Sequence, residues 1–568
     1  MRGDFRIVCA IALLLGPCAA VAATYTVGPS GRQYTQLSAL FNARNLAPGD
    51  VVLVDGNAVY SGAIVVGDDD SGAAGNPVII RWRRDPGTSR PVLQGGAHTI
   101  KFQQSDHVVL DGFEIRGGSS TCVFNEAHDV TVRDSVIHAC PAHGILGADL
   151  NSGSFTLEYS EIFDAGAGQT KHPIYMQSDE VAHPGSVFRM RYNYVHNGNG
   201  GNLLKSRHER NEIYYNWFEG GAYQELELIG PDCETQAPAW TPGLRTEHSD
   251  VVGNVIVHTS TSWNNALRIG GDLNGRNMGH VRLVNNTILF PRSGSTTAIL
   301  VQLGQGRLEM HNNLVYQTST PGPAVVRENP AASVDTPVCA PFDREPWASG
   351  RKSSGSNNWV QTGASLVPAE WSGTLRGTDP MFADIAQRQL RPRAGSPLID
   401  KGSNAPPAPA GAPFPSPLLL PQSDPPIHAR LAIGSEQARM TVGGIDIGAL
   451  ESVAAGEWIL VEGAQPLIPP PATVDAGAVP PQTSPLQPFS FLLPAADQNV
   501  KPPILLPASD QNVKLPHRRL WWLAAPLPWS CLLPPAWAWS LPLEAYLRVT
   551  HCAGDQNGGW SPTAWKRE

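Results

Sequence analysis

Four short segments carry side chains that can move a proton: PIYMQSD (173–179), NLLKSR (202–207), QELELIG (224–230) and ALRIGGD (266–272). If Ile174, Leu204, Leu226, Leu228, Leu267 and Ile269 point inward, a strand period of two turns Tyr175, Gln177, Lys205, Arg207, Glu225, Glu227 and Arg268 outward. Such a set suits removal of a weakly acidic C–H proton beside a carboxylate. Arginine neutralises the carboxylate and steadies the developing enolate. Lysine takes the proton once burial or neighbouring cations favour its neutral form. Lys205 is then the base, Arg207 and Arg268 the cations, and Tyr175, His172 or His208 the group that protonates the leaving oxygen. Gln177, His172, Glu225 and Glu227 would contact substrate. The plain alternative is a salt-bridge ladder on a solvated sheet. Leu203 and Leu204 are both apolar, so a slip of one residue would turn Lys205 inward.

These segments need a frame that stacks them, and the chain repeats in a way that supplies one. LDGFEI (110–115), VRDSVI (132–137), LEYSEI (157–162), MRYNYV (190–195), IYYNWF (213–218), VVGNVI (251–256), LVNNTI (283–288) and MHNNLV (310–315) align. Their fourth residues are Phe113, Ser135, Ser160, Asn193, Asn216, Asn254, Asn286 and Asn313, separated by 22, 25, 33, 23, 38, 32 and 27 residues. A fixed structural turn carrying loops of variable length gives that one-sided spread. A unit this short cannot bury its own apolar face, so it stacks on the next one. Parallel strands about 4.8 Å apart place like positions above one another. Five asparagines in register can then hydrogen-bond up and down the stack. The expectation is an all-β, right-handed parallel β-helix. The coil steps of 33, 38 and 32 residues fall beside the polar patch, where insertions would wall it into a groove.

The ends fit a solenoid. Tyr34 to Phe41 spaces apolar residues as an amphipathic helix, expected to cap the first coil of a parallel β-helix that runs over residues 23–403. Residues 404–426 read as a Pro-rich, solvent-exposed loop and 427–451 as the closing segment. Residues 452–568 read as a low-complexity, disordered tail, in which LLPAADQNVK recurs as LLPASDQNVK. Leu520 to Leu543 is long enough to span a bilayer, but five prolines within it argue against a membrane anchor.

Composition narrows the class further. Charged residues are 16% of the chain, against about 25% in an average soluble protein. A net charge of −9 without a basic run excludes general nucleic-acid binding, which needs a dense cationic face. Arg2 and Arg6, the apolar run Ile7 to Leu15 and Ala20-Val21-Ala22 read as a secretory signal over residues 1–22. A secreted, periplasmic or cell-surface location follows, with the protein expected to act as a monomer. The cysteines show no zinc spacing. Cys122 and Cys140 stand near one repeat apart, so they pair across neighbouring coils or remain as buried thiols.

The helix followed by PGDVVLV, Tyr60-Ser-Gly, SGAAGNPVIIRW and the closing SPLIDKG…DIGALE resembles secreted bacterial β-helix proteins of the pectate-lyase-like superfamily, over residues 24 to 451. That resemblance implies the fold and leaves the reaction open, since the same helix carries lyases, hydrolases, epimerases and adhesins. LLKSRHERNEIYYN is similar to the Lys-Ser strand of alginate-lyase and chondroitinase-B type enzymes, which implies Lys205 as base. Those enzymes place an arginine one coil later, where this chain has Glu225 and Glu227. Gly200, Gly201 and Asn202 stand where their calcium ligands would be. Glu225, Glu227 and Asp232 are the alternative ligands for Ca²⁺.

Other chemistries find less support. The acidic run Asp68-Asp69-Asp70 reads as a solvated turn, and His143-Gly144 is an isolated match to a hydrolase motif. His196, His258 and His311 fall in or beside turns and read as structural. The expected function is β-elimination on an acidic polysaccharide. The alternatives are a non-catalytic carbohydrate-binding or adhesion protein, or a glycoside hydrolase or epimerase.

Overall fold

The computed structural model describes residues 22–230, 247–270, 279–302, 306–329, 352–409, 414 and 416–452. The signal-like start, Asp232 and the low-complexity tail lie outside these residues. Among the described residues no helix is long and apolar enough to cross a membrane.

Three long sheets, of 12, 10 and 12 strands, each take one short strand from successive coils. Every pairing within them is parallel, as in Glu158↔Arg191 in the first sheet, Leu204↔Leu226 in the second and Val195↔Phe218 in the third. Crossovers between parallel strands take the right hand. The chain is therefore a right-handed parallel β-helix. Its interior is filled by aligned apolar rows, such as Ile145, Ile174, Leu204, Leu226, Leu267, Ile299 and Val326 from the second sheet. Leu37 and Leu40 of the short helix Leu37–Phe41 are buried in the same core.

The corner between the first and third sheets explains the repeat. Asn193, Asn216, Asn254, Asn286 and Asn313 are fully buried, and the backbone N–H of each donates to the side-chain oxygen of the next at 2.8–3.0 Å. Asn358 extends the ladder. Its step of 45 residues from Asn313 hides it in the sequence. Ser135 begins the run by donating its N–H to the Ser160 hydroxyl, and Ser160 donates its own N–H to Asn193. The residue before each rung turns the chain with left-handed backbone, including Tyr159 (φ 51), Tyr192 (φ 60) and Tyr215 (φ 56). That conformation is costly for a bulky side chain. Here the three rings stack on one another, at 4.9 and 5.4 Å between centroids.

Cys122 and Cys140 form a disulfide with Cα atoms 6.0 Å apart. Two expectations about loops are corrected. Asp70 is buried rather than solvated, because its carboxylate accepts the backbone N–H groups of Leu46 and Gly67, both at 3.1 Å. Within the Pro-rich segment, Phe414 and residues 416–426 lie against the first sheet instead of projecting into solvent, whereas residues 404–409 are mostly exposed as expected. Phe414 sits under Arg210 and Arg282, Ser416 accepts from Arg210 at 2.9 Å, and Leu418 and Leu420 pack on Tyr215, Val252 and Val284. Gln422 donates its N–H to the Tyr215 hydroxyl and Tyr192 donates to Ser423, both at 3.1 Å. A proline-rich segment has few backbone donors to satisfy, so it can lie flat on an aromatic and cationic strip.

Candidate active site

Strands Ile174–Gln177, Leu204–Arg207, Leu226–Leu228 and Asn265–Ile269 are neighbours in the second sheet. Their register aligns Tyr175, Lys205, Glu227 and Arg268 on one outward row, with Gln177 beside Arg207 on the next. Ile174, Leu204, Leu226 and Leu267 alternate with them into the core, so Leu204 is the inward leucine and Lys205 faces out. The apolar residues at alternate positions fix which face is buried.

The row is a connected polar array. The Lys205 ammonium stands 5.1 Å from the Tyr175 ring centroid and 4.0 Å from a Glu227 oxygen. Glu227 also receives the Arg268 guanidinium and the Asn202 side-chain amide. Arg207 Nε donates to the Tyr175 hydroxyl oxygen at 2.9 Å, and Gln177 Nε2 donates to the same oxygen at 2.7 Å. Arg207 is further held by the Gly230 carbonyl at 2.8 Å. Two incoming donors occupy the lone pairs of the tyrosine oxygen, leaving its proton to be given outward. Lys205 is 8% and Arg207 5% exposed, so the array is sunk rather than freely solvated.

His172 and His143 belong to a different device. The backbone N–H of Asn202 donates to His172 Nδ1 at 2.9 Å, and that of His172 donates to His143 Nδ1 at 3.1 Å. Asn202 Oδ1 continues the series by accepting from the backbone of Gln224 at 3.1 Å. Each histidine therefore works as a neutral ring with its proton on Nε2. Burial, helped by Lys171 and Lys205, pushes His143 down to about 3. Both rings lie beside Tyr175, at 5.9 and 5.3 Å. They line the tyrosine, and the Nδ1 bond makes His172 a poor source of a proton.

Two expected members stand elsewhere. The strand ends at Arg207, so alternation stops and His208 turns into the interior beside Phe188. Its Nε2 bonds the Gly153 carbonyl at 3.0 Å, and burial pushes it down to about 4. Glu225 precedes the strand and points along the bend instead of outward. It is fully buried, receives the Gly221 N–H at 3.2 Å and pairs with His258 Nδ1 at 2.7 Å. Burial raises the Glu225 carboxyl despite that histidine; burial opposes the His258 charge, but Glu225 outweighs it and raises His258. His258 was legible only as a residue beside a turn, since its partner lies a coil away.

Of the residues proposed for calcium, the two described ones, Glu225 and Glu227, are each held by other partners. Glu225 is committed to His258 and Gly221, and Glu227 to Asn202, Arg268 and Lys205. Cationic and N–H donors thus stand where a cation would have to sit. Among the described residues no three His, Cys, Asp or Glu side chains group as a metal site.

No family model matches the chain, and no curated protein does. Similar solved structures include the pectate lyase Pel9A, with a TM-score of 0.42 and 12% identity over 76% of this chain and 97% of that one. An alginate lyase from Paenibacillus sp. str. FPU-7 gives 0.36 and 14% over 54% of this chain and 99% of that one. A rhamnogalacturonan lyase gives 0.36 and 14% over 56% and 87%. Three all-parallel sheets, an inward apolar row in each coil and an asparagine-stacked corner give this chain the right-handed parallel β-helix fold.

Proposed function

We propose that this chain is an exported protein that binds acidic polysaccharide and cleaves it by β-elimination at a uronate residue. The alignment of Tyr175, Lys205, Glu227 and Arg268 on one outward row supports this reading most directly. In the reaction the neutral Lys205 amine takes the C5 proton. The electron pair of that C–H bond forms the C4–C5 double bond, and the C4–O bond breaks. Tyr175 gives its proton to the leaving oxygen, and the phenolate left behind keeps the bonds from Arg207 and Gln177. Arg207 and Arg268 offset the uronate carboxylate as charge builds on it. The new lysine ammonium gains the Tyr175 ring face and the Glu227 carboxylate. The Cys122–Cys140 pair suits an oxidising compartment outside the cytoplasm.

Incubation with alginate, pectate and chondroitin, followed by the ultraviolet absorbance of unsaturated uronate, tests the reaction. A rising signal from at least one polymer, lost in Lys205→Ala, is expected. A second reading, carbohydrate binding without cleavage, draws on Glu227: it already engages both Lys205 and Arg268. Retention on a glycan with no unsaturated product would favour that reading.

A further inference from the structure

Beyond the charged row, one surface aromatic pair, Trp263 exposed and Tyr223 half-buried, is built with more care than a loop requires. Trp263 is 38% exposed in the bend that leads into strand Asn265–Ile269, which carries Arg268. Tyr223 occupies the equivalent bend one coil earlier, ahead of strand Leu226–Leu228 with Glu227. Their rings meet edge to face, 5.2 Å between centroids and 73° apart.

The bend is clamped from both neighbouring coils. His258 Nε2 bonds the Trp263 carbonyl at 2.9 Å, while its other nitrogen bonds the fully buried Glu225 at 2.7 Å. Arg292, from the following coil, donates to the carbonyls of Trp263 and Ser260. Ser260 donates to the Ala222 carbonyl of the preceding coil at 2.9 Å. A buried ion pair is an expensive way to hold a surface loop. It makes sense if the tryptophan must stay fixed and uncovered.

We propose that Trp263 and Tyr223 form a pyranose-stacking corner that holds a sugar of the same glycan whose uronate meets Lys205. This rests on the reading of the charged row as a glycan site. The flat faces of both rings suit the C–H face of a pyranose, and their amphipathic edges tolerate its hydroxyl groups. Trp263 lies five residues before Arg268 on the same coil, about 16 Å at strand rise. That is the reach of a few linked sugars. The occupant is therefore a sugar ring some units from the bond that breaks, and oligosaccharides too short to span both places would not feel it.

The test is affinity electrophoresis of the full chain through gels containing alginate, pectate or chondroitin, with Lys205→Ala as background so that the polymer is not consumed. Adding Trp263→Ala should weaken retention about ten-fold on the polymer that retards the parent, and Trp263→Phe should recover part of it. Disaccharide competitors should act equally on all variants. Unchanged retention in Trp263→Ala, or a parent that no polymer retards, overturns the proposal. Failure of the elimination reading is separate: it is seen when wild type gives no unsaturated product although retention depends on Trp263, a result that supports the corner.

Discussion

Tyr175 shows how one side chain acquires a role from its neighbours. Its oxygen accepts from Arg207 and Gln177, both placed by strand alternation, so removing the hydroxyl should disable proton return without loosening the coil. Tyr175→Phe is expected to slow formation of unsaturated product by about 10²–10⁴-fold while the thermal unfolding midpoint stays near wild type. Product formed at the wild-type rate would remove tyrosine from the mechanism. Glu227 is the opposite case, a fully buried carboxylate that ties Lys205, Arg268 and Asn202 together. Glu227→Gln should destabilise by about 3 kcal/mol, because breaking a buried pair leaves uncompensated charge. Urea unfolding measures it. At this scale the sequence was legible wherever strand alternation held: Tyr175, Gln177, Lys205, Glu227 and Arg268 stand as the period of two requires. Glu225 and His208 escaped because each sits one residue beyond a strand end, where side-chain direction follows the bend. His143 and His172 act through Nδ1 bonds to backbone of the next coil, and no local pattern announces that.

Among elements, the asparagine ladder is the joint that makes the coils commensurate. Asn254 donates to the Ile213 carbonyl at 2.8 Å and accepts the Asn216 N–H, so its loss strands groups on two coils. Asn254→Ala should cost roughly 1–3 kcal/mol, and Asn254→Ser less, since Ser160 shows that a hydroxyl can accept in the same place. Equal unfolding midpoints for the two variants would mean that the ladder carries no hydrogen-bond energy. The ladder itself was readable from five aligned asparagines, but Asn358 was lost behind a long insertion. The Pro-rich segment was misread because composition reports only that a segment forms no helix or strand. It says nothing of the Tyr192, Tyr215, Arg210 and Arg282 strip it covers. Phe414→Ala removes the ring lying 3.9 Å from the Arg282 guanidinium, and limited proteolysis should then cut within residues 404–426 faster than in wild type. Unchanged cleavage would show that the ring does not hold the segment down.

For the whole molecule, burial of histidines sets the response to acid. His143 is pushed to about 3, and His208 and His248 to about 4, each mainly by desolvation; His98 and His128 shift the same way. The unfolded chain binds these protons near pH 6.5 and the folded chain does not, so stability falls as pH drops below that value. His258, raised by Glu225, works in the opposite sense, and so, nearer the carboxyl range, do Asp70, Glu209, Glu225, Asp250, Asp424 and Glu451, whose carboxyls burial raises. Glu309, held down to about 2 by His280 and His311 despite burial, adds a further loss below about pH 4.5. The urea midpoint should therefore decline between about pH 7.5 and 6, where the histidines of the unfolded chain take up protons and ordinary carboxyls do not; a flat or rising midpoint would mean that these histidines are charged in the folded state. The decisive observation on function is the mass of oligosaccharides released from a uronate polymer by wild type and by Lys205→Ala. New non-reducing ends lighter by one water than hydrolysis would leave, formed by wild type and absent with Lys205→Ala, are expected. Ends that retain the water, or the same products from both proteins, would contradict elimination with Lys205 as the base.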